Sequence, residues 1–268
     1  VLKDYTIPSL LETFRTLEKD YPPYLFYSPF YNVLMTAVPM EYIARQYKPE
    51  EKLATITASR RQDVLQKKLS KLVSSLVEKT GVSSEAFGVT GSLLLGIHRL
   101  SVSDLDVTVY GYKNSLAVKR ALIDSLSTKD SLFKRFGGPD LTAWCKTKTR
   151  VHPLTFDEAM EIHRRKWNMG IFDGVRFSVH PVKLEEEINE EYADKIYEPV
   201  GAATVGAIVH DNYDSMFLPA VYHVREAKVV KGPQVTDIEQ IVSYEGLYGD
   251  IAEIGETILV KGKLEQVT

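Results

Sequence analysis

Four residues of the segment GVTGSLLLGIHRLSVSDLDVTVYG, residues 88–111, have the types and the spacing that phosphate chemistry needs. Gly91 and Ser92 stand where a tight turn opens a short helix, so free backbone N–H groups and a hydroxyl could hold phosphate oxygens. Asp104 and Asp106 are two positions apart on a predicted strand and therefore project from the same face. Two hard carboxylates beside phosphate suit Mg²⁺ or Mn²⁺, which share oxygen ligands with substrate phosphates. The segment predicts a metal-dependent phosphate site.

The elements around this segment must bring the turn and the two acids together. Residues 60–79 predict the strongest helix, with Gly81 as a left-handed C-terminal cap. Its apolar stripe consists of Val64, Leu65, Leu69, Leu72, Val73, Leu76 and Val77. A short strand through EAFGVT, one or two helical turns in LLLGI, the strand DLDVTVYG and a helix capped by Asn114 follow.

Further helices and strands are predicted on either side of this segment. Helices are predicted over residues 8–20, 139–149 and 155–168, and Thr155 and Glu158 have the spacing of a capping box. A hairpin turning at Asp173-Gly174 leads into the strand VRFSVHPV. After Pro199 the chain consists of short strand-like runs.

The segment resembles the DNA polymerase beta superfamily of nucleotidyltransferases. The family signature is an apolar residue, Gly-Ser, a spacer of about ten residues and Asp-x-Asp between apolar residues, and this chain has Thr90-Gly91-Ser92 and then Asp104-Leu105-Asp106 with Val107. The wider sequence, with WNMGIFDGVRFSVHPV downstream, is similar to a group of archaeal predicted nucleotidyltransferases of unknown substrate. The superfamily match covers residues 60–183, and the second resemblance covers most of the chain.

The resemblance implies an α/β (α+β) fold. We expect a nucleotidyltransferase-type mixed sheet with flanking helices, plus a small C-terminal all-β module. The predicted units are an N-terminal extension over residues 1–55 packed on the main domain, a nucleotidyltransferase-like domain over residues 56–214 and a β-rich domain over residues 215–268.

One position departs from the family pattern. Superfamily enzymes usually carry a third acid on a later strand, and the matching strand here is VRFSVHPV. The place of the acid falls on Ser178, with His180 two residues on and on the same face. A serine cannot supply the charge of a carboxylate, whereas a histidine could accept a proton. His180 is equally consistent with a structural histidine.

The resemblance leaves two function classes open. The first is an enzyme that moves a nucleoside monophosphate from an NTP to a hydroxyl of RNA, protein or a small molecule, with pyrophosphate release. Asp104 and Asp106 would hold the metal, while Gly91, Ser92 and Arg99 would approach the triphosphate. The second is a catalytically reduced module that binds nucleotide or RNA. His98 and Arg99 follow the short helix and could approach the triphosphate, but they could equally be ordinary exposed loop residues.

Composition sets outer limits on these classes. The net charge of −3 gives no surface-wide attraction for nucleic acid, so polyanion binding would need local basic patches. The single cysteine, Cys145, excludes an internal disulfide and a cysteine-rich zinc site. No apolar run approaches the length of a membrane span, so we expect a cytoplasmic protein without a membrane partner. The oligomeric state cannot be predicted from these features.

Overall fold

A computed structural model describes residues 7–268, with side chains from residue 10 onward. The helices are α1 (Ile7–Asp20), α2 (Pro49–Ala58), α3 (Val64–Thr80), α4 (Gly91–Leu95), α5 (Tyr112–Ser127), α6 (Gly138–Val151) and α7 (Phe156–Arg165). The strands are β1 (Leu25–Ser28), β2 (Val33–Thr36), β3 (Phe87–Val89), β4 (Leu105–Tyr110), β5 (Phe133–Lys134), β6 (Met169–Phe172), β7 (Val175–Val182), β8 (Tyr197–Asp211), β9 (Ala220–Lys231), β10 (Gln240–Ser243) and β11 (Thr257–Val267). The predicted mixture of helices and strands is confirmed.

The main sheet has five strands in the order β3-β4-β7-β6-β5. Strands β4 and β7 are parallel, and the other neighbours are antiparallel. The β6–β7 hairpin turns at Asp173 and Gly174, as predicted, and both residues have positive φ (48° and 78°). The main core consists of alternating strand residues such as Val107 and Val179 packed against α3 and α5. This arrangement places the two central strands, which carry the candidate site, side by side.

Helix α3 packs against this sheet and is capped at both ends. Asp63 caps it, accepting a hydrogen bond from the backbone N–H of Gln66, and Gly81 ends it at φ 70°, as predicted. The helix begins at residue 64 rather than 60, because the Asp63–Gln66 capping box fixes its start. Most of the predicted stripe is buried, but Val64 lies in the first turn and is 61% exposed.

Helix α5 begins differently from the prediction. Its N-cap is Gly111 at φ 89°, with no capping side chain, and Asn114 lies inside the first turn. The Asn114 Nδ2 atom donates a hydrogen bond to the backbone oxygen of Tyr110 instead. The predicted Asn114 cap is therefore wrong, because the N-cap is Gly111, three residues earlier. Thr155 and Glu158, by contrast, form the predicted capping box of α7.

The C-terminal strands form a separate antiparallel sheet in the order β10-β9-β8-β11. This confirms a C-terminal all-β sheet beside the α/β part. Strand β8 pairs with both β9 and β11, so the sheet begins at Tyr197. The predicted border between residues 214 and 215 separates two paired strands, because the long strand β8 lies before it.

The N-terminal part consists of α1, the β1–β2 hairpin and α2. Helix α2 crosses the predicted border between residues 55 and 56. Its Leu53 and Ile56 are both 3% exposed and belong to the main core. The start of α2 also lies against the main sheet, where Pro49 approaches Gly88 of β3. Helix α2 is therefore packed against the main sheet on both sides of the predicted border.

Candidate active site on the polar face of β4 and β7

Strands β4 and β7 have one apolar and one polar face. Leu105, Val107 and Val109 of β4 point into the core, as do Phe177 and Val179 of β7. The side chains between them point to the other face of the sheet, since successive strand residues alternate. In the parallel register Asp106 stands opposite Ser178, and Thr108 stands opposite His180. The candidate site is this polar face at the start of β4.

A chain of hydrogen bonds crosses the two strands at this point. The Ser178 hydroxyl donates to Oδ1 of Asp106 over 2.6 Å, and the Ser178 Oγ atom also lies 2.7 Å from Nε2 of His180. When Ser178 donates to Asp106, the His180 ring must supply the proton of the second bond. The predicted third-acid strand therefore faces Asp106, with Ser178 between the carboxylate and the imidazole.

The surroundings of His180 disfavour its charged form. Although the side chain is accessible at the mouth of the site, desolvation by the surrounding protein lowers its pKa. The charge of Asp106 opposes this shift, and the charge of Lys166 adds to it. The neutral ring has one N–H, which the bond to Ser178 uses, so its other nitrogen is left as an acceptor.

Gly91 lies directly against the Asp106 carboxylate. A Cβ atom at position 91 would come within 2.5 Å of Oδ2 of Asp106, and Gly91 has φ 63°. The backbone N–H of Thr90 also donates to the backbone oxygen of Asp106 over 2.9 Å. The predicted turn and the predicted acid are thus in contact, and both the space and the conformation at position 91 require glycine.

Asp104 lies one residue before β4, not within it as predicted, and its side chain is exposed. Partial burial by the surrounding protein, and then the negative charge of Asp106, raise the pKa of Asp104. The Arg176 guanidinium acts in the opposite direction. Asp104 and Asp106 are therefore electrostatically coupled like charges.

Arg176 was missed by the sequence analysis. It lies on the same face of β7 as Ser178, two residues before it, and its Nη2 atom is 3.0 Å from Oδ1 of Asp140. The signal was present in the alternation of VRFSVHPV, which gives Arg176, Ser178 and His180 one face. Arg176 adds positive charge at the acidic end of the site.

The three remaining predicted residues are Ser92, at the start of α4, and His98 and Arg99, in the loop between α4 and β4. The Ser92 hydroxyl donates to Oγ of Ser103 over 3.0 Å, and that atom also accepts the backbone N–H of Arg99. These bonds hold the loop across the start of α4. Oδ2 of Asp63 lies 2.7 Å from Nε2 of His98, which ties His98 to the start of α3.

His98 and Arg99 therefore differ in what they can bind. Nε2 of His98 is paired with Asp63 and its Nδ1 atom is buried, so the ring is not free to meet a triphosphate, which is one of the two interpretations of this residue. The Arg99 side chain is exposed, and its guanidinium makes no ion pair with the residues from 10 to 268. It remains available as a cation at the edge of the loop.

The donor set fits a metal that shares its ligands with a substrate. Within residues 7–268, no group of three or more His, Cys, Asp and Glu side chains could hold a metal by itself. Asp104 and Asp106 supply two carboxylates whose mutual repulsion a cation would relieve. Mg²⁺ is commonly held by one or two carboxylates together with water and phosphate oxygens. The residues present fit that type of site, not a closed protein cage.

A comparison with curated proteins finds a relative in Methanocaldococcus jannaschii, the uncharacterized protein MJ1086. The two are 31% identical over 255 residues, which cover 95% of this chain and 72% of the relative. This chain belongs to the same family as MJ1086. No protein-family model and no solved structure matches the chain. None of the helices within residues 7–268 has the length and apolar character needed to cross a membrane.

Proposed function

We propose that this member of the MJ1086 family is a metal-dependent nucleotidyltransferase. It would transfer a nucleoside monophosphate from an NTP to a hydroxyl acceptor on RNA, a protein or a small molecule. The observation that carries the proposal is the contact between Gly91 and the Asp106 carboxylate, beside Asp104. That contact supports one site in which a phosphate-binding turn adjoins two acidic ligands.

The reaction requires one bond to form and one to break. The acceptor oxygen attacks the α-phosphorus, the bond from that phosphorus to the bridging oxygen breaks, pyrophosphate leaves, and the hydroxyl proton passes to water. Asp104 and Asp106 would hold Mg²⁺ or Mn²⁺, which when bound neutralises charge on the phosphates. Gly91 allows the backbone to approach the β- and γ-phosphates, and Ser92 and Arg99 lie at the edge of the same turn. Positioning and charge neutralisation would supply most of the catalysis.

The test measures turnover and binding separately. The protein is incubated with each labelled NTP, Mg²⁺ or Mn²⁺ and cellular RNA, and transfer of label and pyrophosphate release are followed. Asp104→Asn with Asp106→Asn should abolish both transfer and metal-dependent NTP binding. The matched control, Asp124→Asn with Asp130→Asn, removes two exposed carboxylates elsewhere and should change neither. Metal-dependent NTP binding that survives the Asp104 and Asp106 changes would contradict the proposal.

A specific observation favours a second candidate, a nucleotide- or RNA-binding module without turnover. Ser178 occupies the third-acid place, and its hydroxyl is committed to Asp106 and His180. A hydroxyl supplies no formal charge at the place where the family pattern has a carboxylate. Under this alternative the native protein binds NTP with metal but transfers nothing, and Ser178→Asp creates measurable transfer. Transfer by the native protein excludes the binding-only alternative.

A further inference from the structure

The outward face of the C-terminal sheet carries a cluster of basic side chains. Five exposed cations lie there: Arg225, Lys228 and Lys231 on β9, and Lys261 and Lys263 on β11. We refer to these five residues as the basic face. Strand β8 runs between the two groups and pairs with both strands. The face lies on a different sheet from Asp104 and Asp106.

The strand register places these cations on one side. Thr204 of β8 pairs with Lys231 on one side and with Lys261 on the other. Directly paired residues of antiparallel strands point to the same face, so the two lysines flank Thr204. Two strand spacings separate them, or about 10 Å. The neighbouring rows repeat the pattern, with Lys228 opposite Gly206, Arg225 opposite Ile208 and Lys263 opposite Ala202.

The surface between the two groups of cations consists of small side chains of β8 and exposed apolar side chains next to them. Ala202, Thr204 and Gly206 give the central strand small side chains. Next to them Leu259 and Val230 are each 66% exposed. Val230 lies over the central strand, 3.9 Å from the place of a Cβ at Gly206. Positive side chains and exposed apolar side chains thus lie together around the small side chains of β8.

The charge of the basic face is only partly offset. Lys263 pairs with Glu265 at 2.5 Å, and Lys261 lies close enough to Glu158 to lower the pKa of that carboxyl, after the larger effects of its bonds to Thr155. Within residues 10–268 no carboxylate lies within 4.0 Å of the charged groups of Arg225, Lys228 or Lys231. This local excess of positive charge occurs on a chain whose net charge is −3.

We propose that the basic face binds single-stranded RNA. Lysine and arginine side chains would contact phosphates, and the exposed Leu259 and Val230 would contact the faces of unpaired bases. A duplex hides its bases, so those apolar side chains would gain nothing from it. The Thr204 hydroxyl lies between Lys231 and Lys261, where it could bond a ribose 2′-hydroxyl. The inference does not depend on the nucleotidyltransferase proposal, because it uses none of those residues.

The test uses the full chain and a fluorescent 20-nucleotide oligo(U). Lys231→Glu with Lys261→Glu should weaken RNA binding at least tenfold at 50 mM salt. The slope of log K against log salt should shrink by about 1.4, since each single-strand phosphate contact contributes about 0.7. Thr204→Val should weaken RNA binding about fivefold, as expected for one lost hydrogen bond, and leave oligo(dU) binding unchanged.

Matched controls separate the face from general charge effects. Lys79→Glu with Lys129→Glu makes the same charge change at two exposed lysines of the α/β part and should alter RNA binding less than twofold. Asp104→Asn with Asp106→Asn should leave RNA binding intact, so failure of the nucleotidyltransferase proposal is distinguishable. Equal losses in the two lysine variants, tighter binding of a 20-base-pair duplex, or binding of an oligo-glutamate peptide but not of RNA would overturn the inference.

Discussion

Two acidic regions of the molecule differ in how their charges are compensated. Asp250, before β11, is 8% exposed and lies 2.7 Å from the Lys119 ammonium. It also accepts a hydrogen bond from the Trp167 indole over 2.6 Å and one from Ser215 over 3.3 Å. Asp104 has an accessible side chain beside Asp106. Partial desolvation by the surrounding protein, and then the charge of Asp106, raise its pKa, and Arg176 offsets this only in part.

The difference separates a structural acid from candidate ligands. Buried charges are retained when partners compensate them, and Asp250 has both a cation and neutral donors. It connects α5 and the start of β6 to the chain before β11, which ties the two sheets together. Asp104 and Asp106 gain no comparable stabilisation from the protein. An arrangement that leaves two carboxylates under-compensated is expected where a ligand completes the site.

Lys166 is a second buried charged residue near Asp250. It is 4% exposed, and its ammonium donates to the backbone oxygens of Gly246 and Gly249 over 2.7 and 2.6 Å. Burial lowers the pKa of Lys166 to about 8, while Asp250 acts to raise it and Lys148 to lower it. The two carbonyls and the charge of Asp250 therefore hold this lysine at the contact between the two sheets.

The largest effect is expected at Asp250. Asp250→Asn keeps the shape of the side chain and tolerates the positive φ of 53°, so it tests the charge. It leaves the Lys119 ammonium without its partner, and breaking a buried pair costs about 3 to 5 kcal/mol. Urea unfolding should register a loss of that size.

The controls for Asp250 lie on α5 itself. Asp124→Asn removes an exposed carboxylate from the same helix as Lys119 and should change stability by no more than about 0.5 kcal/mol. Adding Lys119→Met to Asp250→Asn should recover part of the loss, because the uncompensated cation is then removed. Similar stabilities for Asp250→Asn and Asp124→Asn would show that the network contributes little.

Sequence patterns predicted most of the site but not its mutual contacts. The alternation of DLDVTVYG and VRFSVHPV placed Asp106, Ser178 and His180 on polar strand faces, because a strand has a fixed period of two. The pairing of His98 with Asp63 and the effect of Arg176 on Asp104 join residues far apart in the chain. Such contacts depend on strand order and register, which local periodicity does not encode.

The C-terminal sheet illustrates the same limit. Its strand-like runs were visible after Pro199, whereas the basic face depends on the pairing of Thr204 with both Lys231 and Lys261. The bulges in β9, one at Val230 and one between Arg225 and Lys228, shift that register along the strand. No single run of residues carries the pattern, so it became apparent only from the three-dimensional pairing.

An intermediate effect is expected at Gly91, where the acidic site meets the turn. Gly91→Ala should destabilise the fold by about 3 kcal/mol, because it combines a left-handed backbone with a methyl group 2.5 Å from the Asp106 carboxylate. Gly96→Ala is the matched control. It has a similar φ of 70° but only the end of Lys52 nearby, at 3.9 Å, and should cost about 1 kcal/mol.

A double variant isolates the contact at Gly91. In an Asp106→Ala background the carboxylate is gone, so Gly91→Ala should cost no more than Gly96→Ala. Chemical unfolding of the four proteins gives the coupling between positions 91 and 106 directly. Additive effects of the two changes would mean that the turn and the acid are independent, and the site would lose its main structural support.

The smallest effect is expected at Asp104, and its sign distinguishes this acid from Asp250. The pKa of Asp104 is raised above its ordinary 3.8, so the folded state holds the proton more tightly than the unfolded chain does. The stability that this group contributes is therefore fully present below pH 3.8 and is lost as pH rises through the folded pKa. Asp104→Asn removes that loss, so near neutral pH the variant should equal or exceed the native protein by no more than about 1 kcal/mol.

Magnesium then provides the decisive comparison at Asp104. At pH 7 the cation should raise the melting temperature of the native protein and have a smaller effect on Asp104→Asn, because one of the two carboxylates is missing. Asp124→Asn should respond as the native protein does. If the native protein and Asp104→Asn share the same pH profile and the same response to Mg²⁺, Asp104 is a solvated surface acid. Its difference from Asp250 would then result from solvent exposure alone and not from a role as a metal ligand.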